Sequence, residues 1–169
     1  KLSAVPERLA ESDLLYHPKG YGIKDLSRGS VIGTCSLRRK GQLVNLRNDL
    51  IIKEIRGNIG TRIDKVESGL FDATILASAG LMRLGYDISK YYIFRLEEII
   101  PAPGQGALAV ETREDNHLIN NIFSKIDNIK LRGEVQLERD IMYNIGGGCS
   151  MPIGVFAKLK NKRYDVIAC

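Results

Sequence analysis

From Ser30 onward, apolar and polar positions fall into a repeating rhythm. Val31-Ile32-Gly33 is a short apolar run of strand type, and Ser36 is suited to cap a helix whose apolar positions are Leu37, Leu43 and Leu46. Leu50 to Ile55, with Ile51, Ile52 and Ile55, predicts a second strand. A turn at Gly57-Asn58-Ile59-Gly60 then leads to helical spacing through Ile63 and Val66 over Thr61 to Leu70. Ala73-Thr74-Ile75-Leu76 predicts a third strand, followed by a short helix across Leu81 and Leu84 that Gly85 ends. Strands alternating with helices predict right-handed crossovers and a mostly parallel, doubly wound α/β sheet over about Ser30 to Ile100.

The rhythm breaks at Pro101-Ala102-Pro103-Gly104-Gln105-Gly106. Ala107 to Val110 then predicts a strand and Asn116 to Ile126 a helix, too little to bury a core alone. They are expected to complete a domain begun elsewhere in the chain. A helix over Leu131 to Tyr143 ends at Ile145-Gly146-Gly147-Gly148, and Ile153 to Leu159 and Tyr164 to Ala168 read as strands around a polar turn. Lys1 to Arg28, punctuated by Pro6, Pro18, Gly20 and Gly22, reads as a loose connecting segment.

Composition narrows the function classes. Hydrophobic residues at 44% and charged residues at 27% are ordinary globular values. No apolar run approaches the roughly 18 residues of a membrane span, so no membrane role is expected. The net charge of +5 suits a solvated basic surface or a polyanionic partner. Aromatics at 7% are not interleaved with Lys/Arg blocks, and no nucleic-acid partner is expected. The three cysteines form neither a disulfide framework nor a metal pair, and the isolated His17 and His117 have no ligand spacing, so no metal is expected. A reducing, cytoplasmic setting follows, with a plastid-type organelle as the alternative given the richness in Lys, Ile and Asn, and a monomer is expected. A first residue of Lys rather than Met is expected from a processed or truncated product.

Three stretches carry chemistry. Gly33-Thr34-Cys35-Ser36-Leu37-Arg38-Arg39 puts two arginines in the first turn of a predicted helix, where the helix dipole disfavours cations. Either an anion sits there, with Thr34 and Ser36 as further donors, or both arginines are solvated or paired with Asp or Glu. Arg56-Gly57-Asn58-Ile59-Gly60-Thr61-Arg62 and Arg83 repeat the theme after the next two strands, and ligands of open α/β sheets bind beyond the carboxyl ends of strands. No Walker A or G-x-G-x-x-G spacing is present, which disfavours ATP and NAD. Cys149, on a run of glycines before Pro152, is a candidate reactive thiol, set against an inert turn cysteine. Cys35 ranks second, its small size suiting a packed position behind Thr34 and Ser36.

Five blocks, Ile32 to Arg39 (IGTCSLRR), Ile55 to Arg62 (IRGNIGTR), Ala79 to Gly85 (AGLMRLG), Pro101 to Ala107 (PAPGQGA) and Gly147 to Gly154 (GGCSMPIG), resemble in order and spacing the signatures of the porphobilinogen deaminase family. The resemblance covers roughly Leu26 to the end, and Asp13-Leu14-Leu15 echoes the family's entry into its second domain. It implies a transferase that joins four porphobilinogen molecules with loss of ammonia to hydroxymethylbilane. It also implies three α/β domains, the first two periplasmic-binding-protein-like. On that pattern, 1–12 is a poorly patterned segment and 13–100 the substrate- and cofactor-binding second domain. The hinge and the returning part of the first domain take 101–128, and 129–169 begins the third. The resemblance implies a dipyrromethane cofactor bonded as a thioether to Cys149. It further implies that Arg38, Arg39, Arg56, Arg62 and Arg83 hold the carboxylates of cofactor and growing oligopyrrole, with Thr34, Ser36 and Gly57 in the same loops and Gln105 and Gly106 facing the cleft. A hydroxyl residue is common in the family where Cys35 stands. The family's catalytic aspartate belongs to a part of the first domain not contained in these residues, so this chain alone is expected to be inactive. The alternative from another class is an anion-binding, periplasmic-binding-protein-like module with an inert Cys149.

Overall fold

The computed structural model describes residues 1–146 and 151–169. Its centre is a five-stranded mixed sheet. The strands are β2 (Asp13–Tyr16), β3 (Val31–Gly33), β4 (Ile51–Lys53), β5 (Ala73–Ala77) and β6 (Tyr92–Ile93), in the order β4-β3-β5-β2-β6. Leu15 of β2 and Ile75 of β5 face one apolar cluster, while Leu14, Tyr16 and Leu76 face the other, as the two-residue period of a strand requires. Helix α1 (Leu37–Leu46) covers the first face through Leu43. Helices α2 (Ile59–Glu67) and α3 (Ser78–Arg83) cover the second through Ile63, Val66 and Leu81. With both faces buried, the central strands read as continuous apolar runs.

The mixed α/β architecture with helices on both faces agrees with the expectation from the sequence. Ser36 caps α1, its hydroxyl accepting from the Arg39 N–H at 3.4 Å. Three expectations need correction. The loose reading of Lys1 to Arg28 fails, because it holds β1 (Leu2–Ala4) and the central strand β2. All four β2 residues are buried, so the strand has no exposed alternation to betray it. The mostly parallel sheet carries an antiparallel insertion: β3 is parallel to β4 and β5, but β2 runs against both β5 and β6. Helix α2 begins at Ile59 rather than Thr61, because the Asn58 side chain accepts from the Thr61 N–H at 2.9 Å and so caps the helix two residues earlier.

Two smaller units flank the sheet. β1 pairs antiparallel with β7 (Val110–Glu111), all that forms of the strand expected at Ala107 to Val110. The first twelve residues are thereby tied to the returning segment rather than standing alone. Helix α4 (His117–Ser124) closes this unit, its Asn120 joining Ser3 and Thr112 in a hydrogen-bonded trio. Helix α5 (Ile129–Asn144) packs on a hairpin of β8 (Val155–Lys160) and β9 (Arg163–Ala168). Asn161 and Lys162 turn that hairpin with φ of +49° and +63°, the pattern of a type I′ turn.

The segments linking sheet and first unit, 5–12 and 100–107, cross at close quarters. Gly106 has φ +81°, and a Cβ there would lie 1.7 Å from the Ala10 carbonyl oxygen. Only glycine fits.

Candidate functional site

Strands β3, β4 and β5 run in parallel, so the loops after them share one edge of the sheet. That edge receives Thr34 to Arg39, Arg56 to Arg62, and α3 with Arg83. Because β2 is antiparallel, its first residue, Asp13, opposite Ala77, lies at the same edge. Asp13 is fully buried and absent from the expected site. Arg38 Nη2 donates to its Oδ2 at 2.8 Å, and Arg39 donates to Oδ1 from Nη2 at 2.7 Å and Nε at 3.2 Å. Gln105 Nε2 adds a bond to Oδ1 at 3.0 Å and another to the Glu11 carbonyl at 2.6 Å. Arg38 Nη1 donates to the Ile100 carbonyl at 2.5 Å.

Of the two readings of the arginine pair, the ion-paired one describes this geometry. One carboxylate serves two guanidinium groups, so the cluster keeps a surplus positive charge. Burial pushes the Arg38 guanidinium below its ordinary value, opposed by Asp13. An arginine nonetheless stays charged at neutral pH.

The remaining candidates separate. Arg56, Arg62 and Arg83 lie on the same sheet edge, each with a hydrogen-bond partner other than Asp13. Arg56 is 83% exposed and pairs with Glu54 at 3.3 Å. Arg62 Nε donates to the Gly57 carbonyl at 2.8 Å, closing the loop in which Gly57 has φ +120°. Arg83 Nη2 donates to the Gly106 carbonyl at 2.7 Å, joining α3 to the linker. Thr34 is buried, its hydroxyl accepting from the Ser36 N–H at 3.2 Å. Cys35 is exposed rather than packed, its thiol donating to the Ile55 carbonyl at 2.9 Å. Cys149 lies outside the described residues.

A cavity of about 580 Å³ opens where the three units meet. That is within the range of small-molecule sites. Ser36 and Arg38 line it from the α/β unit, Leu108 and Glu111 from the first unit, and Arg132, Arg139 and Met142 from α5. Met151, two residues after Cys149, lines it as well.

A neighbouring face of α5 is fixed by two buried glutamates. Glu138 accepts from Arg8 Nη2 at 3.0 and 3.1 Å, from the Gly104 N–H at 2.6 Å and from the Ala157 N–H at 3.1 Å. Glu134 accepts from the Leu159 N–H at 2.9 Å. Among the described residues no group of His, Cys, Asp and Glu is arranged to hold a metal ion.

The family model for the "Porphobilinogen deaminase, dipyromethane cofactor binding domain" matches residues 1–121, and that for the "Porphobilinogen deaminase, C-terminal domain" matches 132–168. The match starts at the first residue, not near Leu26 as the signature blocks alone suggested. The porphobilinogen deaminase of Limosilactobacillus reuteri is 44% identical over 162 residues, 95% of this chain and 53% of that protein. That of Caldicellulosiruptor saccharolyticus is 44% identical over 168 residues, 99% of this chain and 58% of the relative. The Geobacillus kaustophilus protein is 44% identical over 94% of this chain and 52% of its own length. The chain thus spans about half the length of the curated relatives it matches. Among solved structures, the second substrate-binding domain of a putative amino acid ABC transporter from Streptococcus pneumoniae aligns with TM-score 0.41 and 21% identity, covering 80% of this chain and 63% of that one. The fold described here rests on the topology above, not on that likeness. Two family models in register, together covering most of the residues, establish that the chain belongs to the porphobilinogen deaminase family.

Proposed function

We propose that these residues are part of a hydroxymethylbilane synthase, which joins four porphobilinogen molecules with loss of ammonia on a dipyrromethane primer bonded to Cys149. The observation that carries this reading is the ordered pair of family matches. The cavity supports it. Met142 and Met151 lie on its wall either side of Cys149 in the sequence, and two residues of chain reach at most about 7 Å. The lining also fits a carboxylate-bearing pyrrole group, with apolar Leu108, Met142 and Met151 beside the guanidinium groups of Arg38, Arg132 and Arg139. When bound, the dipyrromethane supplies the primer on which the chain is extended.

The chain's own residues bind and orient. Each pyrrole carries two carboxylates, and rigid guanidinium forks suit such a polyanion better than point charges. Arg38 and Arg39 enter this function with their geometry set by Asp13 and their surplus charge directed to an incoming carboxylate. Arg56, Arg62 and Arg83, with Thr34, Ser36 and Gly57 in the neighbouring loops, offer further contacts along the sheet edge. Gln105 and Gly106 hold the linker against that edge. A covalent tether keeps every intermediate at high effective concentration. The reading places the protein in a reducing cytoplasm as a monomer, and holds that these 169 residues on their own do not consume porphobilinogen.

Steady-state assay of the full-length protein tests the function. Ammonia and hydroxymethylbilane should appear with porphobilinogen as sole substrate, and Arg62→Gln should raise KM by about tenfold, the value of one lost charge-assisted contact. A full-length protein that leaves porphobilinogen unchanged contradicts the reading.

A further inference from the structure

Helix α5 presents two faces of different character. Leu131, Glu134 and Glu138 are buried, and the two glutamates clamp the backbone of β8 and the linker at Gly104. This fixes the rotation of the helix about its axis. The adjoining stripe, Arg132, Val135, Gln136, Arg139 and Met142, follows the i, i+3, i+4, i+7 spacing of one helix side and lines the cavity. Arg132 and Arg139 are seven residues apart, a rise of roughly 10 Å.

The charges on this wall are not equivalent. Arg132 is committed to Asp127, with Nε and Nη2 donating at 2.9 to 3.1 Å. Arg38, across the cavity, is committed to Asp13 and the Ile100 carbonyl. Arg139 is exposed and, among the described residues, has no carboxylate within ion-pair distance. The neighbouring Asp140 instead accepts from Gln136 Nε2 at 2.7 Å. Glu111 is the carboxylate among the lining residues, and it belongs to the first unit rather than to α5.

We propose that Arg139 is a positioning residue for the growing oligopyrrole, binding a pyrrole carboxylate from the α5 wall while the apolar side chains of Val135 and Met142 take the ring. The stripe runs along the helix toward its C-terminal end, and Cys149 follows in the sequence. Among the described residues Arg139 is the cation of this stripe that has no carboxylate partner, and so the one free to meet a carboxylate of a chain extended from that cysteine. This inference rests on the function proposed above and extends it to a residue outside the arginine-bearing loops of the sheet.

The test uses full-length protein as wild type, Arg139→Gln, Arg139→Glu and Arg139→Lys. Intact mass gives the covalent adduct and the population of partly elongated chains after a limited supply of porphobilinogen; thermal unfolding gives the fold. Arg139→Gln should keep the adduct and the wild-type unfolding midpoint. Its later additions should slow by about tenfold or more, with partly elongated chains accumulating to match, as loss of a charge-assisted contact predicts. Arg139→Glu should be slower still, and Arg139→Lys should recover most of the rate. Equal elongation in wild type, Arg139→Gln and Arg139→Glu overturns this inference alone. A wild type with neither adduct nor turnover overturns the proposed function and this inference together.

Discussion

Replacing Asp13 by Asn keeps the side chain's size and removes its charge. The Asn oxygen can still accept from Arg39 and Gln105, but its amide nitrogen then faces Arg38 Nη2, donor against donor. The Arg38 and Arg39 side chains are only 5% and 12% exposed, so water cannot replace the lost carboxylate. Breaking one partner of such a buried pair costs about 3–5 kcal/mol. Arg38 keeps its bonds to the Ile100 carbonyl and to Gln105 Oε1, which favours the lower end, about 3 kcal/mol. With a urea dependence of about 2 kcal/mol per molar, the midpoint should fall by about 1.5 M. The assay is equilibrium urea unfolding of full-length wild type, Asp13→Asn, Arg39→Met and the double variant. The coupling energy between positions 13 and 39 should exceed about 1 kcal/mol. A loss below about 1 kcal/mol for Asp13→Asn, or independent effects in the cycle, refutes the ion-paired reading of the arginine pair.

Other sites give sharper signs. Gly106→Ala forces a Cβ against the Ala10 carbonyl at positive φ, and should cost more than about 2 kcal/mol in the same unfolding assay. Lys162→Gly removes a side chain from positive φ in the type I′ turn and should stabilise by about 0.5–1 kcal/mol. Hydrogen bonds from Arg132, opposed by burial, hold the Asp127 carboxyl below its ordinary 3.8. A depressed native value contributes stability that is complete above the unfolded value and lost as pH falls through the native one. The unfolding midpoints of wild type and Arg132→Gln should therefore converge as pH drops from about 6 to about 3, and a constant gap counts against the pair. Porphobilinogen incubated with the 169-residue chain alone should remain unconsumed, as followed by ammonia release.

The parts of the fold that the sequence disclosed are those whose signal is local. Ser36 as a helix cap, the strand at Ile32 and the short helix ended by Gly85 each depend on a few adjacent residues. β2 escaped because its four residues are buried on both faces and its partners β5 and β6 lie about sixty and eighty residues away. The arginines at the start of α1 drew attention to a conflict with the helix dipole, but the carboxylate that resolves it comes from β2, invisible to any local reading. Glu138 was hidden likewise: a glutamate in a helix looks solvated until Arg8, Gly104 and Ala157 converge on it. Cys35 was misjudged because size does not tell which way a loop residue points. It lies on the outer side of the loop against Ile55.

The account stands most directly on the bond between Cys149 and its primer. Intact mass spectrometry of the full-length protein, wild type against Cys149→Ser, addresses it without any kinetic assumption. The wild type should be heavier than its amino-acid sequence by one dipyrromethane, and the serine variant should match its sequence mass. An unmodified wild type, or an adduct that persists on the serine variant, contradicts the account.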